Sequence, residues 1–165
     1  MKRAIILKVN GTSRQIDANP AMPLLWVLRE RLGFTGTDSD SHVGACGACA
    51  IHIDGEPLRA RLVRAPAGED SDIVDLERLP TDVLPPRGAL RPEQEAWVEM
   101  QVPQCGYCQS SMIMAMIALL RRNPHPTHAD VDEAITGHCR CGTCPRIRYA
   151  FRTLASEGTA ETGAT

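Results

Sequence analysis

Six of the seven cysteines fall in close pairs, and a close pair of thiols is a unit of metal or redox chemistry. Cys105 and Cys108 stand in Gln104-Cys-Gly-Tyr-Cys108, and Cys139 and Cys141 in Cys139-Arg-Cys141, with a helical pattern and a proline-rich turn between them. Four thiolates placed in this way suit a zinc ion or an iron–sulfur cluster, because both take soft sulfur ligands in tetrahedral geometry. A Cys-x-x-Cys turn aims two sulfurs at one point. Its backbone N–H groups, with the positive end of a helix beginning at Cys108, favour negative charge there. In Cys-x-Cys the two side chains converge when the middle residue, here Arg140, turns outward. Spacing alone leaves four readings open: zinc, a [2Fe–2S] cluster, a thioredoxin-type Cys-Gly-Tyr-Cys redox motif, and buried structural cysteines. The redox motif requires a βαβ surround, whereas residues 92 to 101 read as helix.

Composition narrows the partners. The formal net charge is −2 with no run of Lys or Arg, and aromatic residues make up only 4%. A nucleic-acid partner is therefore not expected. The apolar run from Met112 to Leu120 is well short of the ~20 residues that span a bilayer, so direct membrane insertion is not expected either. The N-terminus lacks the longer apolar stretch and small-residue cleavage site of a secretory signal, which makes the cysteines metal or redox groups sooner than a disulfide scaffold. A cytoplasmic location follows as the expectation, with export alongside a signal-bearing partner as the other route. Cys49, Cys108 and Cys144 precede Ala50, Gln109 and Pro145 and not histidine, which speaks against covalent haem attachment.

Several elements must position these cysteines. Alternation over residues 3–9 and 13–17 around Asn10-Gly11 predicts a hairpin, because both turn residues tolerate positive φ. Residues 22–33 predict a short helix with an apolar stripe of Leu24, Leu25, Leu28 and Leu32, stopped by Gly33. Residues 49–53 and 58–64 around Asp54-Gly55 predict a second hairpin, and 73–76 a last strand. This is an α+β unit over residues 1–78. A proline-containing linker, 79–91, leads into helices over 92–101, 108–122, 127–136 and 145–154, with Thr127 as an N-cap. The helix from Cys108 has almost no polar face and belongs in the middle of a bundle. The helical unit covers 92–155, and the small polar tail 156–165 reads as disordered.

Gln104-Cys-Gly-Tyr-Cys-Gln-Ser-Ser-Met-Ile-Met114, Asn123-Pro-His-Pro-Thr127 and Cys139-Arg-Cys-Gly-Thr143 together resemble the small iron–sulfur subunit of the molybdenum hydroxylases, the xanthine oxidase family. Met22-Pro-Leu-Leu-Trp-Val-Leu-Arg29 and Cys46-Gly-Ala-Cys49 with Asp54-Gly55 agree, and the branch that includes isoquinoline 1-oxidoreductase is the most similar in appearance. The resemblance runs from about residue 3 to 155 in the right order. It implies a β-grasp, ferredoxin-like N-terminal domain followed by a four-helix [2Fe–2S]-binding domain. It further implies one [2Fe–2S] cluster on Cys105, Cys108, Cys139 and Cys141, with Gln104 and Cys141 approaching the pterin of a molybdenum cofactor. That cofactor would sit in a separate large molybdopterin-binding subunit, with a flavin subunit or a c-type cytochrome as acceptor. Cys144 stands where the family usually has an aromatic and reads as a small buried side chain.

The first half departs from the family. Its members bind a second [2Fe–2S] cluster there through Cys-x4-Cys-x2-Cys and a fourth cysteine after the Asp-Gly hairpin. Here those positions are Ser41, Cys46, Cys49 and Arg61. A serine alkoxide is costly to form and a guanidinium cannot ligate iron, so the second cluster is expected to be absent. Asp38 and Asp40 are expected to pair with Arg61 in the vacated space. His42 and His52 keep another metal site open, and Cys46 and Cys49 are either free or bridged. The resulting expectation is an electron-transfer subunit of an oxidoreductase, with no acid, base or nucleophile of its own. A degenerate assembly subunit and a zinc-stabilised interaction module are the alternatives.

Overall fold

The computed structural model describes residues 1–38, 41, 43–78 and 92–160. Strands β1 (Arg3–Val9) and β2 (Thr12–Ala18) form the first hairpin, turned at Asn10 and Gly11 with φ of 52° and 75°. Strands β3 (Ala50–Ile53), β4 (Glu56–Arg59) and β5 (Asp72–Val74) complete a five-stranded sheet of order β2-β1-β5-β3-β4. β5 runs parallel to β1 and antiparallel to β3. The second hairpin is shorter than expected. β4 ends at Arg59, and the N–H of Ala60 still reaches the Cys49 carbonyl, but Leu62 N–H turns back onto the Arg59 carbonyl.

Inward residues of the hairpin, Ile5, Leu7, Val9 and Ile16, alternate with exposed ones and meet Leu24, Leu25, Val27 and Leu28. The latter come from α1 (Leu24–Trp26), which widens into a π-helical turn over Val27–Arg31 and closes where Gly33 takes φ 78°. Only glycine accepts that conformation without strain. β3 buries both faces: Ile51 and Ile53 join this core, while Ala50 joins a second one. A strand covered on both sides cannot alternate, which is why its sequence reads Ala-Ile-His-Ile.

The second core is helical. α2 (Pro92–Glu99), α3 (Gln109–Arg122), α4 (His128–Ala134) and α5 (Cys144–Ala160) surround Trp97, Met112, Met114, Met116, Ile117 and Phe151. α3 is buried along Ser110–Leu119, the central position its composition requires. Thr127 caps α4 through a capping box: its hydroxyl accepts from Asp130 N–H, and Asp130 accepts from Thr127 N–H at 2.7 Å. α5 runs on to Ala160, past the expected stop at Leu154. The proposed linker 79–91 lies outside the described residues. No helix among the described residues is long and apolar enough to cross a membrane.

Candidate metal centre

Cys105 and Cys108 sit in the turn that feeds α3, with Cys108 as its N-cap and Gly106 at φ 82°. Cys139 and Cys141 sit in the loop between α4 and α5, where Gly142 takes φ 75° and Arg140 points to solvent as its spacing demands. All four line one small cavity, closed by Trp97, Val102 and Thr143. Gln104 borders the same cavity and is exposed. Cys144 opens α5 half-buried and does not line that cavity. A cleft of about 580 Å³ lies elsewhere, between β4, α3 and α4. Its walls mix Arg59 and Arg122 with Asp130 and Glu133, and no cysteine reaches it.

The four thiols meet as two pairs: Cys105 with Cys141, and Cys108 with Cys139. They compete for negative charge. Burial, then the neighbouring Cys139, pushes Cys108 up to about 12. The N–H of Tyr107 and the Cys141 thiol pull Cys105 down. At Cys139 burial opposes ionisation, but the Thr143 hydroxyl at 3.2 Å and N–H at 3.4 Å outweigh it and bring the thiol to about 7. Such a set ionises together only when a cation joins it, since metal coordination deprotonates thiols outright. Among the described residues no group of three or more His, Cys, Asp or Glu side chains is gathered closely enough to hold a single metal ion. Two pairs of soft donors on facing loops suit zinc and an iron–sulfur centre alike. Thr143 and Tyr107 escaped the sequence reading. Both stand inside the motifs that carry the family resemblance, but nothing there marks them as partners of sulfur.

The first-half positions come together without forming a comparable set. Cys46 and Cys49 are buried free thiols. Ser41 Oγ accepts the N–H of Cys46 at 3.1 Å. Burial works against ionisation of Cys46, but the hydroxyls of Ser41 and Tyr107 and the backbone at Ser41 and Ala48 prevail and lower it to about 6. Arg61 stacks its guanidinium 5.4 Å from the centre of the Trp26 ring. Asp38, expected beside Arg61, lies 3.6 Å from Arg29, whose guanidinium also holds the Thr35 and Thr37 carbonyls. Asp40 and His42 lie outside the described residues. His52 takes no part in this site: its Nε2 meets the Met114 carbonyl at 2.9 Å, on the opposite face of β3 from Ile51.

A family model described as the [2Fe-2S] binding domain matches residues 77–152, a span that contains all four paired cysteines of the cavity. The isoquinoline 1-oxidoreductase subunit alpha of Brevundimonas diminuta is 43% identical over 151 residues, 90% of this chain and 95% of that one. The chain belongs to the small iron–sulfur subunits of the molybdenum hydroxylase family. This iron–sulfur subunit is also 35% identical, over 152 residues, to the nicotinate dehydrogenase small FeS subunit of Eubacterium barkeri, covering 92% and 94% of the two chains. Its fold is similar to a chain of quinoline 2-oxidoreductase from Pseudomonas putida 86, with a TM-score of 0.87, 31% identity and 99% of both chains covered. As in those relatives, its work is electron transfer within an oxidoreductase.

Proposed function

We propose that this subunit holds one [2Fe–2S] cluster, on Cys105, Cys108, Cys139 and Cys141, and relays electrons from a large molybdopterin-binding subunit. The observation that carries the proposal is the meeting of four thiols, two by two, in one cavity between two loops. A cluster bound there supplies a one-electron carrier. The chain's own groups set its electrostatics: the Thr143 hydroxyl and N–H on Cys139, the Tyr107 N–H on Cys105, and the N-terminus of α3 at Cys108. Each stabilises negative charge on sulfur and so favours the reduced state. Gln104 and Cys141 would face the pterin; both border the cavity, and Gln104 is open to a partner.

The sheet half would be a β-grasp domain over 1–78, a reading supported by the mixed order β2-β1-β5-β3-β4 with β1 and β5 parallel. We hold that it binds no second cluster. Ser41 is engaged by Cys46 N–H, Arg61 covers Trp26, and only two of the four positions carry thiols. With one cluster in this chain, the acceptor, a flavin subunit or a c-type cytochrome, would have to approach the helical half, 92–155. The complex would act in the cytoplasm. Relatives named for isoquinoline, nicotinate and quinoline support an N-heteroaromatic substrate on the large subunit, hydroxylated with oxygen from water.

Visible absorption of the purified complex tests the reading. A brown protein bleached by dithionite, and a loss of that absorption in Cys105→Ser and Cys139→Ser, are expected. A colourless small subunit carrying stoichiometric zinc would contradict it.

A further inference from the structure

The first-half cysteine loop touches the helical half at the two places where the paired cysteines are mounted. The Cys46 carbonyl accepts the N–H of His138 at 3.2 Å, one residue before Cys139. The Cys46 sulfur lies near the hydroxyl of Tyr107, which stands between Cys105 and Cys108 in the chain. This loop is itself fixed on both sides of Cys46. Ser41 Oγ takes the Cys46 N–H, and Ser110, in the first turn of α3, donates to the Ala48 carbonyl at 3.1 Å. The approach between the loops is close: a Cβ added at Gly47 would stand 3.1 Å from both Gly137 Cα and Ser111 Cβ. A side chain there would force its neighbours to give by a few tenths of an ångström.

We propose that Cys46, freed from metal ligation, is a positioning residue for the helical-half cysteines. Its carbonyl holds the Cys139 loop, its side chain lies beside the Cys105–Cys108 turn, and together they fix the separation of two loops far apart in sequence. Neither loop can set that distance alone, because each is an irregular segment turned by a glycine at positive φ, Gly106 in one and Gly142 in the other. A centre bridging them is held tightly only if the separation is preorganised. The inference rests on the reading of Cys105, Cys108, Cys139 and Cys141 as cluster ligands and of Cys46 as none.

The test uses the complete complex. Tyr107→Phe removes only the hydroxyl, and Cys46→Ala removes the sulfur while leaving the carbonyl. Both variants are expected to keep their cluster, to release iron to a chelator about tenfold faster than the parent protein, as loss of an outer-shell partner does, and to show an altered electron paramagnetic resonance signal after dithionite reduction. Cys144→Ala, which touches neither loop contact, is expected to match the parent. Parental release rates and spectra in both variants would overturn the proposal, and Tyr107→Phe decides alone if Cys46→Ala does not fold. Loss of half the acid-labile sulfide in Cys46→Ala would make Cys46 a ligand and overturn it too. A parent complex without iron would instead overturn the cluster reading beneath it.

Discussion

Thr143 places both a hydroxyl and an N–H on the sulfur of Cys139. Replacing it with valine keeps the shape and the N–H but removes the hydroxyl. Thr143→Val is therefore expected to retain iron while lowering the cluster's midpoint potential, because one donor that favours the reduced state is gone. Redox titration followed by visible absorption reads this; an unchanged or raised potential would contradict it. At this scale the sequence was informative about ligand type and silent about what surrounds the ligands. Cysteine spacing marks Cys105, Cys108, Cys139 and Cys141 because thiol pairs are rare and their chemistry is specific. A threonine or tyrosine that touches sulfur looks like any other until the fold turns it inward. The same limit applies to charge: Asp38 was readable as an acid near the vacated site, but its approach to Arg29 depends on how the loop after Gly33 folds back.

Elements were legible where local chemistry decides them. Thr127 reads as an N-cap from the sequence alone, so the start of α4 needed no tertiary information, and the fold adds Asp130 to make a capping box. Thr127→Ala removes the hydroxyl that accepts from Asp130 N–H and is expected to cost about 1 kcal/mol. Urea denaturation of the complex-free or complexed chain would show it as a lower midpoint at unchanged slope; an unchanged midpoint would contradict it. The π-helical turn at Val27–Arg31 was not legible, since its apolar stripe reads as an ordinary helix and only the packing of Leu28 and the stop at Gly33 reveal the wider turn. β4 ended early for a related reason. Residues 60–64 carry alternating side chains, yet the buried Ala60 and the turn at Leu62 follow from contact with α1, where Leu25 N–H meets the Ala60 carbonyl.

At the scale of the whole molecule, the two halves are joined by contacts with little slack. Gly47 sits at φ 82° against Gly137, so Gly47→Ala meets both a left-handed backbone and a tight backbone contact. A loss of about 1–3 kcal/mol is expected, read as a lower thermal midpoint, and a neutral substitution would contradict the close approach. His52 spans the same seam from β3 to the Met114 carbonyl of α3. Burial lowers its pKa from the ordinary 6.5, with the Met114 carbonyl opposing. Its folded form therefore takes up a proton later than its unfolded form as pH falls. Stability is full above the unfolded value and is lost below it, down toward the depressed folded value. The thermal midpoint is expected to fall as the pH drops below the ordinary 6.5, and His52→Gln, which retains an N–H donor, is expected to flatten that fall. An equal pH slope in both proteins would contradict the assignment. None of this seam was visible in the sequence, because which strand face meets which helix is a property of two cores assembled together.

The central claim is that the chain carries one cluster, in its helical half. Acid-labile sulfide counted per small subunit in the purified complex tests it directly, since sulfide comes from clusters and from neither zinc nor haem. About two sulfides per small subunit are expected for a single [2Fe–2S] centre. About four would place a second cluster in the sheet half, and none would leave the four paired cysteines without the centre assigned to them.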